Sequence, residues 1–112
     1  MQMLCEKLTK FSIPAIRIAV SDTLYGNYGI SQKVIALKLG VAQPAVYKYL
    51  KGKYSERVSM VANFIKSSGI HEPIAKAIIS GSNPPKVQGM IERLASSSRV
   101  SAYCNSLLKS GK

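Results

Sequence analysis

The sequence predicts an all-α chain. Apolar residues recur at three- and four-residue spacing along most of its length, and no run alternates apolar with polar residues as a half-buried strand would. Serine, asparagine, proline and glycine fall between these stretches, where helices begin and end. Leu4, Leu8 and Phe11 make a short helical lead-in that stops before Ser12. Ser12 as N-cap, with Pro14 in the first turn, then opens a helix from Ile13 to about Tyr28 that turns Ile16, Val20, Leu24 and Tyr28 toward the core. Gly26 weakens this helix slightly and Gly29 ends it. Ser31 caps a short helix with Val34, Ile35, Leu37 and Leu39 beside the small Ala36, and Gly40 supplies the left-handed residue at its end. Val41 plugs the angle to the next helix, about 42–50, in which Ala45, Val46, Tyr49 and Leu50 recur on the inner face. After Gly52-Lys53-Tyr54, Ser55 caps a helix to about Ser68 with Val58, Val61, Phe64 and Ile65 inward, ended by Gly69. Pro73 opens a short helix carrying Ile74, Ala77 and Ile78 that closes at Ser80-Gly81.

Beyond Gly81, Asn83 caps a helix that begins with Pro84-Pro85 and places Val87, Met90, Ile91 and Leu94 on one stripe. Ser96-Ser97-Ser98 interrupts the pattern. Val100, Tyr103, Cys104, Leu107 and Leu108 make a second stripe, on a bent continuation or on a separate helix. So apolar a surface needs covering. Either it folds back on its own domain, or residues 83–108 meet a second copy or a protein partner.

Residues 31–53 carry most of the functional information. They read as helix, turn, helix, with five lysines in the interval from Asp22 to Glu56 (Lys33, Lys38, Lys48, Lys51 and Lys53) and no acid between. The outer face of the second helix offers Gln43, Pro44, Tyr47, Lys48 and Lys51. Amide, phenol and ammonium groups suit base edges and phosphates in a major groove. Tyr49 falls on the inner side. Tyr47 falls on the outer side, where its ring either reaches a phosphate or a thymine methyl or simply stands in solvent.

The string Ser31-Gln32, Ala36, Leu39-Gly40-Val41, Gln43-Pro44-Ala45-Val46, Tyr49-Leu50 and Gly52-Lys53 resembles the helix-turn-helix of the lambda-repressor/Cro superfamily. The longer stretch from Pro14-Ala15-Ile16-Arg17 to Gly52-Lys53 is similar to small archaeal predicted transcriptional regulators; together these cover roughly half the chain. The resemblance implies a five-helix DNA-binding domain over residues 1–81, followed by a helical extension over residues 82–112. It also implies that Gln32 braces Gln43, and that Gln43 pairs bidentately with adenine. The superfamily often has Ser or Thr before the second glutamine and a small polar residue after it; Ala42 and Pro44 stand there in this chain. The expected DNA-binding set is therefore Gln32, Lys33, Ala42, Gln43, Pro44, Tyr47, Lys48, Lys51 and Lys53.

Charge agrees with a polyanionic partner. Sixteen Lys and Arg against five Asp and Glu leave +11 on 112 residues, which raises non-specific affinity for nucleic acid and speeds encounter. With 46% hydrophobic residues the chain can bury one modest core but not two. No stretch of about 18 apolar residues appears, and Met1-Gln2-Met3-Leu4-Cys5-Glu6-Lys7 lacks the pattern of a secretion signal. A cytoplasmic, nucleoid-associated protein without membrane contact is expected.

Catalysis finds little support. The single histidine, His71, precedes Glu72-Pro73 and reads as a helix cap, the acids form no pair at helical spacing, and Lys51-Gly52-Lys53 is too short for a phosphate loop. No enzyme, metal or cofactor is expected. The archaeal regulators resemble this chain near Cys5-Glu6 and can carry several tail cysteines, which implies a metal or cluster site there. This tail keeps only Cys104, too few thiols for a four-ligand site. Cys5 and Cys104 are then ordinary buried thiols, a disulfide or a redox switch. The function expected is sequence-specific binding of double-stranded DNA by a transcriptional regulator. The alternative is a general chromatin or replication-accessory protein that docks a partner through its C-terminal helices.

Overall fold

The computed structural model describes the backbone of residues 2–110 and the side chains of residues 10–106. Among the described residues there are seven helices and no strand: α1 (Gln2–Tyr28), α2 (Gln32–Leu39), α3 (Gln43–Lys51), α4 (Glu56–Ser68), α5 (Glu72–Ile79), α6 (Pro84–Ala95) and α7 (Ser98–Ser110). The all-α class is therefore the one adopted.

α1 is the axis of the fold and touches every other helix. The run from Ile13 to Val20 is apolar apart from Pro14 and Arg17, so the middle of the helix has no solvent side to spare. Ala15, Ile16, Ile18, Ala19, Val20 and Leu24 are fully buried. Each large aliphatic residue buried in this way contributes about 1.5–3 kcal/mol relative to exposure.

Two expectations about α1 fail. The lead-in does not stop before Ser12; one helix of 27 residues runs through it, with Pro14 inside. Pro14 cannot donate to the Lys10 carbonyl, and the Ser12 hydroxyl is buried without a hydrogen-bond partner. Packing against the surrounding helices outweighs these local stop signals. Tyr28, expected to face inward, is 47% exposed, because the core has already ended at Leu24.

Three of the expected side-chain caps form. Ser31 Oγ accepts from the Val34 amide at 3.3 Å, Ser55 Oγ from Val58 at 3.2 Å, and Asn83 Oδ1 from Lys86 at 3.0 Å, so each satisfies a donor that its helix leaves free. The serine interruption separates α6 from α7, with Ser97 Oγ accepting from Val100 N at 3.4 Å. On α2, Ile35, Ala36 and Leu39 are buried, whereas Val34 and Leu37 are 40% and 69% exposed. A helix this short presents one narrow inner stripe, and those two residues fall outside it.

Much of the apolar stripe after Gly81 is covered within the chain, with Met90 and Leu94 left half-buried. Val87, Ile91, Ala95, Val100 and Cys104 belong to the same buried cluster as Ile16, Ile35 and Val61. α6 packs on α1, α2 and α5, while α7 packs on α1 and α4. The Cα radius of gyration, 13.3 Å, is close to the roughly 13 Å expected of one compact domain of about 100 residues. The side chains of Leu107 and Leu108 lie outside the described residues, as does that of Cys5.

Candidate nucleic-acid interface

α2 and α3 pack against each other across the turn Gly40-Val41-Ala42. The turn has a defined cause. Gly40 sits at φ 71° and its N–H reaches the Leu37 carbonyl at 3.3 Å, while the Val41 N–H reaches back to Ala36 O at 3.0 Å. This pair of bonds is a Schellman motif, which a residue with a side chain would strain. Val41 then packs on the core, and α3 anchors itself through buried Val46 with Tyr49 and Leu50 half-buried beside it. The inner face is thus occupied, and the outer face of α3 is turned to solvent.

Most of the sequence-predicted site residues are solvent-exposed. Lys33, Ala42, Gln43, Pro44, Tyr47, Lys48, Lys51 and Lys53 are exposed, and Gln32 is half-buried. Gln32, at the first position of α2, and Gln43, at the first position of α3, line a shared open concavity of about 410 Å³ together with Pro44 and Tyr47. The fold therefore places both glutamines at one concavity, though no hydrogen bond joins them among the described residues. Ala42 occupies the N-cap of α3 without a side-chain bond, and Pro44 stands in the first turn. Lys51 Nζ lies 5.7 Å from the centroid of the Tyr47 ring, one turn back on the same helix, within reach of a cation–π attraction. At the far end, Gly52 repeats the left-handed cap at φ 74°, and Lys53 N bonds Lys48 O at 2.9 Å, which fixes the backbone from which the Lys53 side chain departs.

Concave places also lie elsewhere among the described residues. A polar one of about 260 Å³ is lined by Asp22, Thr23, Asn27, Lys66, His71 and Glu72. Here Lys66 Nζ pairs with Asp22 Oδ2 at 2.8 Å, and His71 Nε2 lies 2.8 Å from Thr23 Oγ1. His71 does occupy the N-cap position of α5, but its ring makes no capping bond. It is 97% buried instead, at 3% relative exposure, and ties α5 to α1. Burial holds its pKa below the ordinary histidine value, against the opposing pull of the Ile65 carbonyl and of Glu72. Its Nδ1 makes no hydrogen bond of normal geometry. An apolar groove of about 320 Å³ lies between α5 and α6 and includes Ile74, Met90 and Leu94.

Among the described residues no group of three or more His, Cys, Asp and Glu could hold a metal ion. Cys104 is a free buried thiol whose pKa is pushed up to about 11 by its apolar surroundings. No helix among the described residues is long and apolar enough to cross a membrane.

The tertiary pairs Asp22–Lys66, Thr23–His71 and Arg17–Gln88, the last at 3.1 Å, were not foreseen from the sequence. Each joins residues far apart in the chain, and no local pattern marks them. Comparison with protein-family profiles, with curated proteins and with solved structures returned no match.

Proposed function

We propose that the chain is a sequence-specific double-stranded DNA-binding protein acting as a transcriptional regulator, with α3 as the helix that enters the major groove. The observation that carries this reading is the concavity in which Gln32 and Gln43 meet on an exposed face. Lys33, Lys48, Lys51 and Lys53 are exposed on or beside the same two helices, and the sequence has no Asp or Glu between Asp22 and Glu56. A surface that only neutralises phosphate has no use for two glutamines at one concavity; a surface that reads bases does. In this reading Gln43 takes an adenine edge, Gln32 lies against it or the adjoining backbone, and Tyr47 and Lys48 lie alongside. Lys33, Lys51 and Lys53 take phosphates. α1 to α5 then correspond to the five-helix arrangement implied by the lambda-repressor/Cro resemblance, and α6 and α7 brace it. A place among DNA-bound proteins in the cell follows from the same argument.

The deciding experiment is selection of bound duplexes from a random library at about 150 mM salt, where lysine-driven background binding is suppressed. The expected outcome is enrichment of a short motif that binds roughly 10³-fold or more tighter than random DNA. Measurable binding with no enrichment would favour the general chromatin or replication-accessory role and leave the glutamines as surface residues.

A further inference from the structure

The concavity between α2 and α3 is chemically divided. Gln32 and Gln43 supply amides, while Pro44 and Tyr47 supply ring carbon. Pro44 has neither an N–H nor a polar side-chain atom to offer a base or a phosphate. Tyr47 stands 43% exposed, and the Lys51 ammonium over its ring favours one placement of it. Both rings therefore offer ring carbon beside the two amides at one concavity.

Major-groove chemistry offers one match for this division. An A·T pair presents the N7 and N6 edge of adenine together with the C5-methyl of thymine, whereas a G·C pair carries no methyl. We infer that Pro44 and Tyr47 form a seat for a thymine methyl, in or next to the pair whose adenine Gln43 takes. This rests on the DNA-binding reading above and adds to it a second specificity determinant, recognised by apolar contact rather than by hydrogen bonding. The side chain that occupies the place of a small polar residue, Pro44, then acquires a role. It exchanges a polar contact for a methyl-sized apolar wall.

Deoxyuridine isolates the effect, because it lacks only the methyl and keeps every hydrogen-bonding atom of thymine. The full chain is titrated against its selected duplex and against a set of duplexes in which each thymine in turn is replaced by deoxyuridine. One thymine of the recognised site should stand out, its replacement weakening binding about fourfold, the worth of burying one methyl group. Replacement at the remaining thymines should leave binding nearly unchanged. Tyr47→Ser should bind the thymine duplex more weakly and no longer distinguish it from the deoxyuridine duplex, whereas Tyr47→Phe, which keeps the ring, should still distinguish them. If every deoxyuridine duplex binds like its parent while Gln43→Ala still weakens binding, the methyl seat is wrong and the DNA-reading helix stands. Absence of any selected site removes both. Should Tyr47→Ser fail to fold, the deoxyuridine scan on the unaltered chain decides by itself.

Discussion

Tyr103 lies flat on Phe64, with ring centroids 4.3 Å apart and planes 5° from parallel, so that α7 is stacked onto α4. The contact joins the last helix to the middle of the chain at a place where both rings are half-buried. With Val100 and Cys104 in the core beside it, this stacking gives the C-terminal apolar stripe an intramolecular destination.

The first prediction follows from that destination. Tyr103→Ala should destabilise the full chain by about 1–3 kcal/mol, from lost apolar burial and lost ring stacking. A chain ended at Gly81 should lose cooperative unfolding, because Val87, Ile91, Val100 and Cys104 are taken out of a shared core. Urea denaturation followed by far-ultraviolet circular dichroism measures both. A truncated chain with the midpoint of the full one would mean that the C-terminal helices contribute nothing to the core.

Labour within the α3 face should divide by chemistry. Gln43→Ala should cost about 1–3 kcal/mol on the selected site with little change on random DNA. Lys53→Ala should weaken both alike and reduce the slope of log affinity against log salt by about one unit. Lys51→Ala should do the same and in addition release the Tyr47 ring, so Lys53 is the cleaner probe of phosphate contact. Equal loss on both DNAs for Gln43→Ala would show that this glutamine reads no base.

Acid should loosen the α1–α5 junction. His71 has a folded-state pKa below its unfolded value of about 6.5, so the unfolded chain takes up the proton more readily. The stability owed to neutral His71 is therefore complete above about pH 6.5. It is lost as pH falls below that value, at no more than about 1.4 kcal/mol per pH unit, until the lowered folded pKa is passed. The facing groups are Thr23, Asp22, Lys66 and Glu72. Urea midpoints at pH 7.5 and 5.5 should differ more for the natural chain than for His71→Gln; parallel shifts would rule out the histidine as the source.

Thiol chemistry offers a simple check on the core. In a Cys5→Ser variant, the remaining Cys104 should resist labelling at pH 8 while the chain is folded, since burial covers it and its pKa of about 11 leaves little thiolate. Denaturant should expose it to full labelling. Rapid reaction of the native variant would place Cys104 at an accessible surface.

Local signals were legible in the sequence wherever the physics is local. Ser31, Ser55 and Asn83 cap the helices they precede, and Gly40, Gly52 and Gly69 end helices in the left-handed conformation that glycine permits. Apolar spacing found the inner faces of α3 to α6, and charge spacing found the lysine-rich interval without acids. Tertiary packing decided what no short window contains. It carried α1 through Ser12 and Pro14, because an otherwise apolar segment surrounded by helices gains more from burial than a stop signal saves. The same packing left Tyr28, Val34 and Leu37 in solvent, since the core ends before it reaches them. Folding also turned His71 from a cap into a buried partner of Thr23, and packed the last two helices on α1. The concavity shared by Gln32 and Gln43 required both levels. Sequence supplied the amides at two helix starts, and the glycine turn with the packing of α2 on α3 brought them into one concavity.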